Sequence, residues 1–242
     1  MRVAVISDIH ANAHALTAVL AAIDVERPDA LWCLGDLVGY GPQPNECIRL
    51  VRERADVCLL GNHDLGALGR LDLDDFTRDA ALAAYWTRDR HGDDERAFLE
   101  SLEPAARLPQ AALFHASARD PVWEYVLGEE AARASLRATI EPVVLVGHSH
   151  VALALVDEAG RLSGGLAPGG TQVELPAGRW LLNPGSVGQP RDGDRDAAWL
   201  LLDFEQGTGS FRRAPYDVAA TQAEIRDAGL PPSLANRLAS GA

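Results

Sequence analysis

The chain has 242 residues, a formal net charge of −13, and 47% hydrophobic and 24% charged residues. That length supports one substantial core, so a single domain over 1–242 is expected. The acidic balance excludes general nucleic-acid binding, because phosphate neutralisation needs Lys and Arg, and no apolar stretch approaches a membrane span, which excludes a membrane partner.

In chain order, residues 2–7 read as a buried strand that stops at Asp8-Ile9-His10. Residues 13–25 follow as a helix, with Leu16, Val19, Leu20 and Ile23 at helical spacing. Strand 30–34 ends at Gly35-Asp36, and the Gly/Pro-punctuated loop 39–44 leads into helix 44–54. Strand 56–60 ends at Gly61-Asn62-His63-Asp64. This β-α-β-α-β order implies parallel pairing with right-handed crossovers. In such sheets function gathers beyond the carboxyl ends of the strands. Residues 65–105 are expected to be mostly helical, clearest over 80–85 and 95–102, as an insertion that packs on the sheet or partly covers the site. Strand 111–114 ends at His115, helix 129–138 follows, and strand 143–146 ends at Gly147-His148-Ser149-His150. Beyond residue 150, strands near 151–156, 161–165, 171–174, 179–182, 197–204 and 209–214 are separated by short Gly-rich turns. They predict a second, mainly antiparallel sheet packed on the first, closed by helices 218–228 and 233–239. The ligand-bearing strand begins directly after Met1-Arg2, which argues against a removable signal peptide. Cys33, Cys47 and Cys58 show no CxxC spacing, and an odd number without a framework suits a reducing cytoplasm.

Five apolar strands thus end in metal-type ligands, and five of the seven histidines lie there. Asp8 and His10 are two residues apart. In extended backbone their side chains leave one face and reach one cation; His148 and His150 repeat the spacing. Asp36 follows a glycine, and its carboxylate can bridge two ions. Asn62 offers a neutral amide oxygen. Together these residues supply two octahedral-type ions, with positions left for water and substrate. No cysteine is required, which points away from a structural zinc site. Such a pair serves phosphoryl or carboxyl ester hydrolysis. Ions about 3.5–4 Å apart clamp the substrate oxygens and lower the pKa of a shared water, whose hydroxide attacks in line. A neighbouring group then donates a proton to the leaving oxygen, and His63, beside Asn62, is the natural candidate. The imidazoles favour two divalent ions of Mn, Fe or another transition metal, with Zn, Ni or Mg as alternatives.

The ordered set Asp8-x-His10, Gly35-Asp36, Gly61-Asn62-His63-Asp64, His115 and Gly147-His148-x-His150 resembles the calcineurin-like metallophosphoesterase superfamily. The resemblance spans nearly the whole chain. It extends to Tyr40-Gly41-Pro42-x-Pro44-Asn45, Asp120-Pro121-x-Trp123-Glu124-Tyr125 and the run from Asn183 to Arg191, which are similar to the small single-domain prokaryotic members. It implies an α/β fold: a four-layer α/β/β/α sandwich with two mixed β-sheets flanked by helices. It implies Asp8, His10 and His150 on a first metal, Asp36 as bridge, and Asn62, His115 and His148 on a second. His63 is then the general acid or a phosphate contact, held by Asp64. The chain departs at Ala116, where the family often has Gly; Ala is nearly as small. The activity implied is hydrolysis of a small phosphorylated substrate (phosphomonoester, phosphodiester or nucleotide) by a dimetal-bound hydroxide. A dinucleoside polyphosphate hydrolase or a protein phosphatase uses the same site. A non-catalytic metal-binding scaffold is the alternative of another class.

Each substrate contact has two readings. Asn12 touches phosphate or caps the following helix. Tyr40 stacks on a base or sugar or packs in its loop. Arg191 is a cationic phosphate contact or a surface arginine among Asp192, Asp194 and Asp196. His14 and His91 are expected outside the site. Residues 35–41 lack the Lys-Ser/Thr of a nucleotide P-loop, and 185–188 read as a tight turn rather than a nucleophile elbow. Nothing in the sequence fixes an oligomeric state.

Overall fold

Val3 and Val5 leave one side of the first strand and Ala4 and Ile6 the other, and all four are fully buried. A strand buried on both faces must lie between two apolar layers. The computed structural model, which describes residues 1–242, places it there. The chain runs β1 (Arg2–Ile6), α1 (Ala13–Glu26), β2 (Ala30–Cys33), α2 (Pro44–Arg54) and β3 (Val57–Cys58), then α3 (Asn62–Leu68), α4 (Arg78–Arg88) and α5 (Asp93–Glu100). It continues through β4 (Ala105–Arg107), β5 (Ala111–Phe114), α6 (Glu129–Arg137), β6 (Val143–Leu145), β7 (Leu153–Glu158) and β8 (Arg161–Leu166). Then come β9 (Gln172–Glu174), β10 (Arg179–Asn183), β11 (Ala197–Asp203), β12 (Thr208–Ala214), α7 (Val218–Asp227) and α8 (Pro232–Arg237).

Two six-stranded sheets form, in the orders β3-β2-β1-β11-β12-β9 and β4-β5-β6-β10-β7-β8. Within the first, β3, β2 and β1 are parallel; within the second, β5, β6 and β10 are parallel. Antiparallel strands complete both. Val5, Leu200 and Leu202 of the first sheet share a core with Leu113, Val143, Leu145 and Leu182 of the second. Behind the first sheet, Ala4, Ile6 and Trp199 pack on Leu16, Val19 and Ile23 of α1. Behind the second, Val144, Val146 and Leu181 pack on Ala132 and Leu136 of α6. Each of these buried leucines and valines contributes about 1.5–3 kcal/mol of transfer free energy. The layers are therefore helix, sheet, sheet, helix, as the family resemblance implies.

The expected division between the sheets is corrected. Strands β5 and β6 do not extend the first sheet; they begin the second. The late strands β11, β12 and β9 join the first sheet instead. Every residue of β11 is buried, which suits a central place between β1 and β12. Local pattern shows that a strand is covered on both faces, not which sheet covers it. Two smaller differences concern 56–107. Helix α3 begins at Asn62 itself, so that ligand cluster is a first helical turn, and Ala105–Arg107 is an edge strand antiparallel to β5. No helix is long and apolar enough to cross a membrane. The consequence for function is geometric. The segments that follow six parallel strands, three from each sheet, meet at one edge of the sandwich.

Candidate metal centre

Ligand atoms of Asp8, His10, Asp36 and His150 lie within 4.8 Å of one another, as do those of Asp36, His115 and His148. Asp36 belongs to both groups. Asn62 adds to the second, its Oδ1 3.1 Å from His115 Nε2. The structure thus brings together all seven residues expected as ligands, and all are buried.

The backbone that presents them is not extended. Asp8 and His10 have φ of 55° and 50°, Asp36 54°, and His148 and His150 62° and 60°. Left-handed conformations at non-glycine residues cost about 1–3 kcal/mol each and persist only where the surroundings over-determine them. Here they do. Asp8 N–H donates to Gly35 O (3.0 Å), Ile9 and His10 N–H to Asp36 O (2.8 and 2.9 Å), and Ala11 N–H to Leu37 O (2.9 Å). The same-face argument for Asp-x-His therefore reaches the right pairing through the wrong backbone. For His148 and His150 it fails outright, because they enter different groups. Two glycines allow the close approach. A Cβ at Gly61 would sit 2.0 Å from Asp36 Oδ1, and one at Gly147 2.1 Å from Ser7 Oγ.

Hydrogen bonds fix the imidazole tautomers. Nδ1 of His10, His115 and His150 lies 3.0, 2.9 and 2.7 Å from the carbonyls of Val38, Leu34 and Gln189. A carbonyl only accepts, so each Nδ1 carries the proton and each Nε2 a lone pair. His148 is reversed: its Nε2 donates to Trp123 O at 3.1 Å, leaving Nδ1 for the cluster. Two contacts then pair acceptor with acceptor. His10 Nε2 faces His150 Nε2 at 2.9 Å, and His115 Nε2 faces Asn62 Oδ1. Between the groups, Asp36 Oδ2 lies 3.6 Å from His10 Nε2 and 3.5 Å from His115 Nε2. It is buried without a donor. Opposed lone pairs and a bare buried carboxylate oxygen repel one another unless cations lie between them. The donor set fits two divalent ions of the imidazole-tolerant kind. Without them burial dominates: it pushes the Asp8 carboxyl up to about 7 and Asp36 well above the usual carboxylate range. Burial likewise holds His10 and His150 well below ordinary imidazole, and His148 down to about 3.

Around this cluster the expectations separate. His63 is in place, its ring 4.8 Å from His10 and 4.3 Å from Tyr40, its Nδ1 buried and unpartnered. Its backbone N–H donates to Asp36 Oδ1 at 2.8 Å. Asp64 does not hold the His63 ring. Its two oxygens accept from Val38 N–H (3.0 Å) and Gly61 N–H (2.9 Å), tying the Asp36 loop to the start of α3. Asn12 is likewise committed elsewhere: Oδ1 caps α1 through Ala15 N–H at 3.1 Å, and Nδ2 donates to Gly188 O at 2.9 Å. Arg191 is no surface arginine. It reaches Tyr40 OH at 3.3 Å and Gln189 Oε1 at 3.0 Å, with Nε buried and unpartnered. His14 pairs with Glu224, and His91 makes no contact with the cluster.

The sequence model of the calcineurin-like phosphoesterase superfamily domain matches residues 1–207. The chain belongs to that superfamily. It is 40% identical to a metallophosphoesterase from Sphaerobacter thermophilus, with a TM-score of 0.91 over 100% of this chain and 99% of that one. An uncharacterized protein of Methanocaldococcus jannaschii is 35% identical over 99% of this chain and 98% of its own length. A symmetrical bis(5'-nucleosyl)-tetraphosphatase of Stutzerimonas stutzeri is 41% identical over 66 residues, 26% of this chain and 24% of that enzyme.

Several further residues meet this calcineurin-like cluster; all but Phe76 stand in the motifs quoted for the resemblance, where the sequence gives them no role. Gln189 orients His150 through its carbonyl. Ser186 Oγ donates to Asp8 O at 2.7 Å, and Gly188 N–H to the same oxygen at 2.9 Å. The segment after β10 is thus a clamp on two ligands, signalled only by its run of Asn, Gly, Ser and Gln. Tyr125 stacks on His148 at 4.0 Å and 18°. Phe76, between α3 and α4, stands edge-on to His63 at 5.2 Å and to Trp123 at 5.1 Å. Nothing in its sequence neighbourhood marks it.

Proposed function

We propose that the chain is a dinuclear metal-dependent phosphoesterase acting on small phosphomonoesters, phosphodiesters or nucleotides. The observation that carries this reading is the pair of acceptor-to-acceptor contacts, one in each ligand group, joined by the unpartnered Asp36 Oδ2. Asp8, His10 and His150 would hold one ion, Asn62, His115 and His148 the other, and Asp36 both. Two divalent ions supply charge for the phosphoryl oxygens and lower the pKa of a water there. The imidazoles favour manganese or iron.

The chain's own residues do the rest. His63 would present a ring N–H to the leaving oxygen; burial holds its imidazole well below the ordinary value, so the ring must first gain a proton, which a negative phosphoryl group beside it would favour. Arg191 offers its free guanidinium N–H to a phosphate oxygen. Tyr40, Phe76, Trp123 and Tyr125 line the approach with rings that exclude water and can stack on a substrate base. The three free thiols suit a cytoplasmic setting.

Elemental analysis combined with a substrate panel tests the proposal: an aryl phosphate, an aryl phosphodiester, a cyclic nucleotide, diadenosine tetraphosphate and a phosphopeptide. The expected result is two transition-metal equivalents per chain and turnover of at least one small ester. Loaded protein that hydrolyses none of them would establish the scaffold reading instead. A dinucleoside polyphosphate hydrolase is the second reading, favoured by the 66-residue likeness to the symmetrical tetraphosphatase.

A further inference from the structure

The superfamily match ends at residue 207, yet α7 and α8 pack against the site. Ile225, Leu234 and Leu238 share an apolar cluster with Tyr40. Thr221 Oγ1 donates to Asn12 Oδ1 at 3.1 Å. Arg237, the last residue of α8, donates to Gln189 Oε1 at 3.1 Å, the oxygen that also accepts from Arg191 at 3.0 Å. Two guanidiniums therefore converge on one neutral amide oxygen. Their side-chain partners are Gln189 and Tyr40, and neither has a carboxylate. In a chain with 35 acidic residues against 22 arginines, ion-pair partners are abundant, yet these two guanidiniums hydrogen-bond only an amide oxygen and a phenol; the nearby Asp8 carboxyl acts on Arg191 without a direct bond. Like charges repel more strongly as burial lowers the local dielectric. An anion lying across both guanidiniums would turn that repulsion into attraction. The pair also stands beside the metal centre, since the Gln189 carbonyl accepts from His150 Nδ1.

A lone phosphoryl group held at the metal cluster and by Arg191 would leave Arg237 with no anion, only its bond to Gln189. We propose that Arg237 and Arg191 form a second phosphate subsite, so that the preferred substrate carries two or more linked phosphates, as nucleoside di- and polyphosphates do. This rests on the phosphoesterase reading of the cluster. The phosphate that is not cleaved binds across the two forks, each able to give two N–H donors to phosphate oxygens. Helix α8 thereby sets substrate class while the metal cluster sets the chemistry.

The test compares diadenosine tetraphosphate with para-nitrophenyl phosphate as substrates of the metal-loaded parent, R237Q, R237K and a control, R226Q, at an exposed position of α7. In R237Q, KM for diadenosine tetraphosphate should rise about tenfold or more relative to KM for the aryl phosphate, with metal content as in the parent. R237K keeps the charge and should recover part of that preference; R226Q should change neither constant. Calorimetry on the metal-free protein gives a readout independent of turnover. The parent should bind inorganic tripolyphosphate more tightly than inorganic phosphate, and R237Q should lose the difference. Equal KM changes for both substrates, or an unchanged tripolyphosphate preference in R237Q, would overturn the subsite. If circular dichroism shows R237Q misfolded, R237K decides alone: a preference equal to the parent's overturns the subsite, and a reduced one supports it. A loaded parent that hydrolyses neither compound defeats the phosphoesterase reading, while the calorimetry still decides the subsite.

Discussion

His63 and Asp36 touch through a single hydrogen bond, yet replacing them should have opposite consequences. Asp36→Asn keeps the shape but removes the charge shared by both ligand groups. Elemental analysis should find both metals lost, and turnover should fall about a thousandfold or more, the several kcal/mol that bound cations contribute. His63→Gln should keep the metals and lower kcat by about 10²–10⁴-fold, the span of general acid catalysis. The loss should grow as the leaving group becomes more basic, read from a series of aryl phosphates. A His63→Gln enzyme with the parent's dependence on leaving-group pKa has not lost a proton donor. At this scale the sequence was informative about which side chains meet, because hard ligand types past apolar strands have few other reasons to occur together. For Asn12 the capping reading is the one the structure shows. For Asp64 the sequence was uninformative: its partners are the backbone N–H groups of Gly61 and Val38, and backbone groups leave no mark on residue type. The left-handed φ of Asp8, His10 and Asp36 was equally silent, since no glycine or asparagine stands there.

Strand β10 shows what a single element adds. Its carboxyl end opens the clamp on Asp8 and His150, and its first residue secures the helix behind its own sheet. Arg179 donates to Leu136 O (2.6 Å), Thr139 O (2.8 Å) and Glu141 O (3.1 Å), carbonyls at and just beyond the end of α6. The last turn of a helix leaves carbonyls with no partner inside the helix, and here one guanidinium supplies them. Arg179→Met keeps the stem and removes the donors. It should cost about 2–4 kcal/mol, because half-buried carbonyls are left unsatisfied. Thermal denaturation should show a midpoint lower by about 5–15 °C in a chain of this size, with metal content unchanged. A parallel place for β10 was not legible in its sequence. The run Arg-Trp-Leu-Leu-Asn has no preceding helix to announce a crossover, and it was grouped with its antiparallel neighbours. The pairing with β6 is visible only in three dimensions.

Across the whole molecule the two ligand groups act as a seam. Asp8, His10, Asp36 and Asn62 follow strands of the first sheet; His115, His148 and His150 follow strands of the second. Each group mixes residues from both sheets, so each cation would join the sheets at an edge where the apolar core between them has ended. Without cations the seam holds opposed lone pairs and a carboxylate oxygen without a donor. Removing metal should therefore loosen the fold as well as abolish chemistry. An ion that binds only the folded chain stabilises it by about 4 kcal/mol at a thousandfold excess over its Kd. For a chain of this size that raises the melting midpoint by about 8 °C or more. Calorimetric scans of the parent, stripped with a chelator and then reloaded with manganese, should show that rise. Asp36→Asn should melt at one temperature under both conditions, because the residue common to both groups has lost its charge. A parent whose midpoint ignores manganese would separate the seam from metal binding, and the packing of the two sheets would then have to hold the opposed imidazoles together unaided.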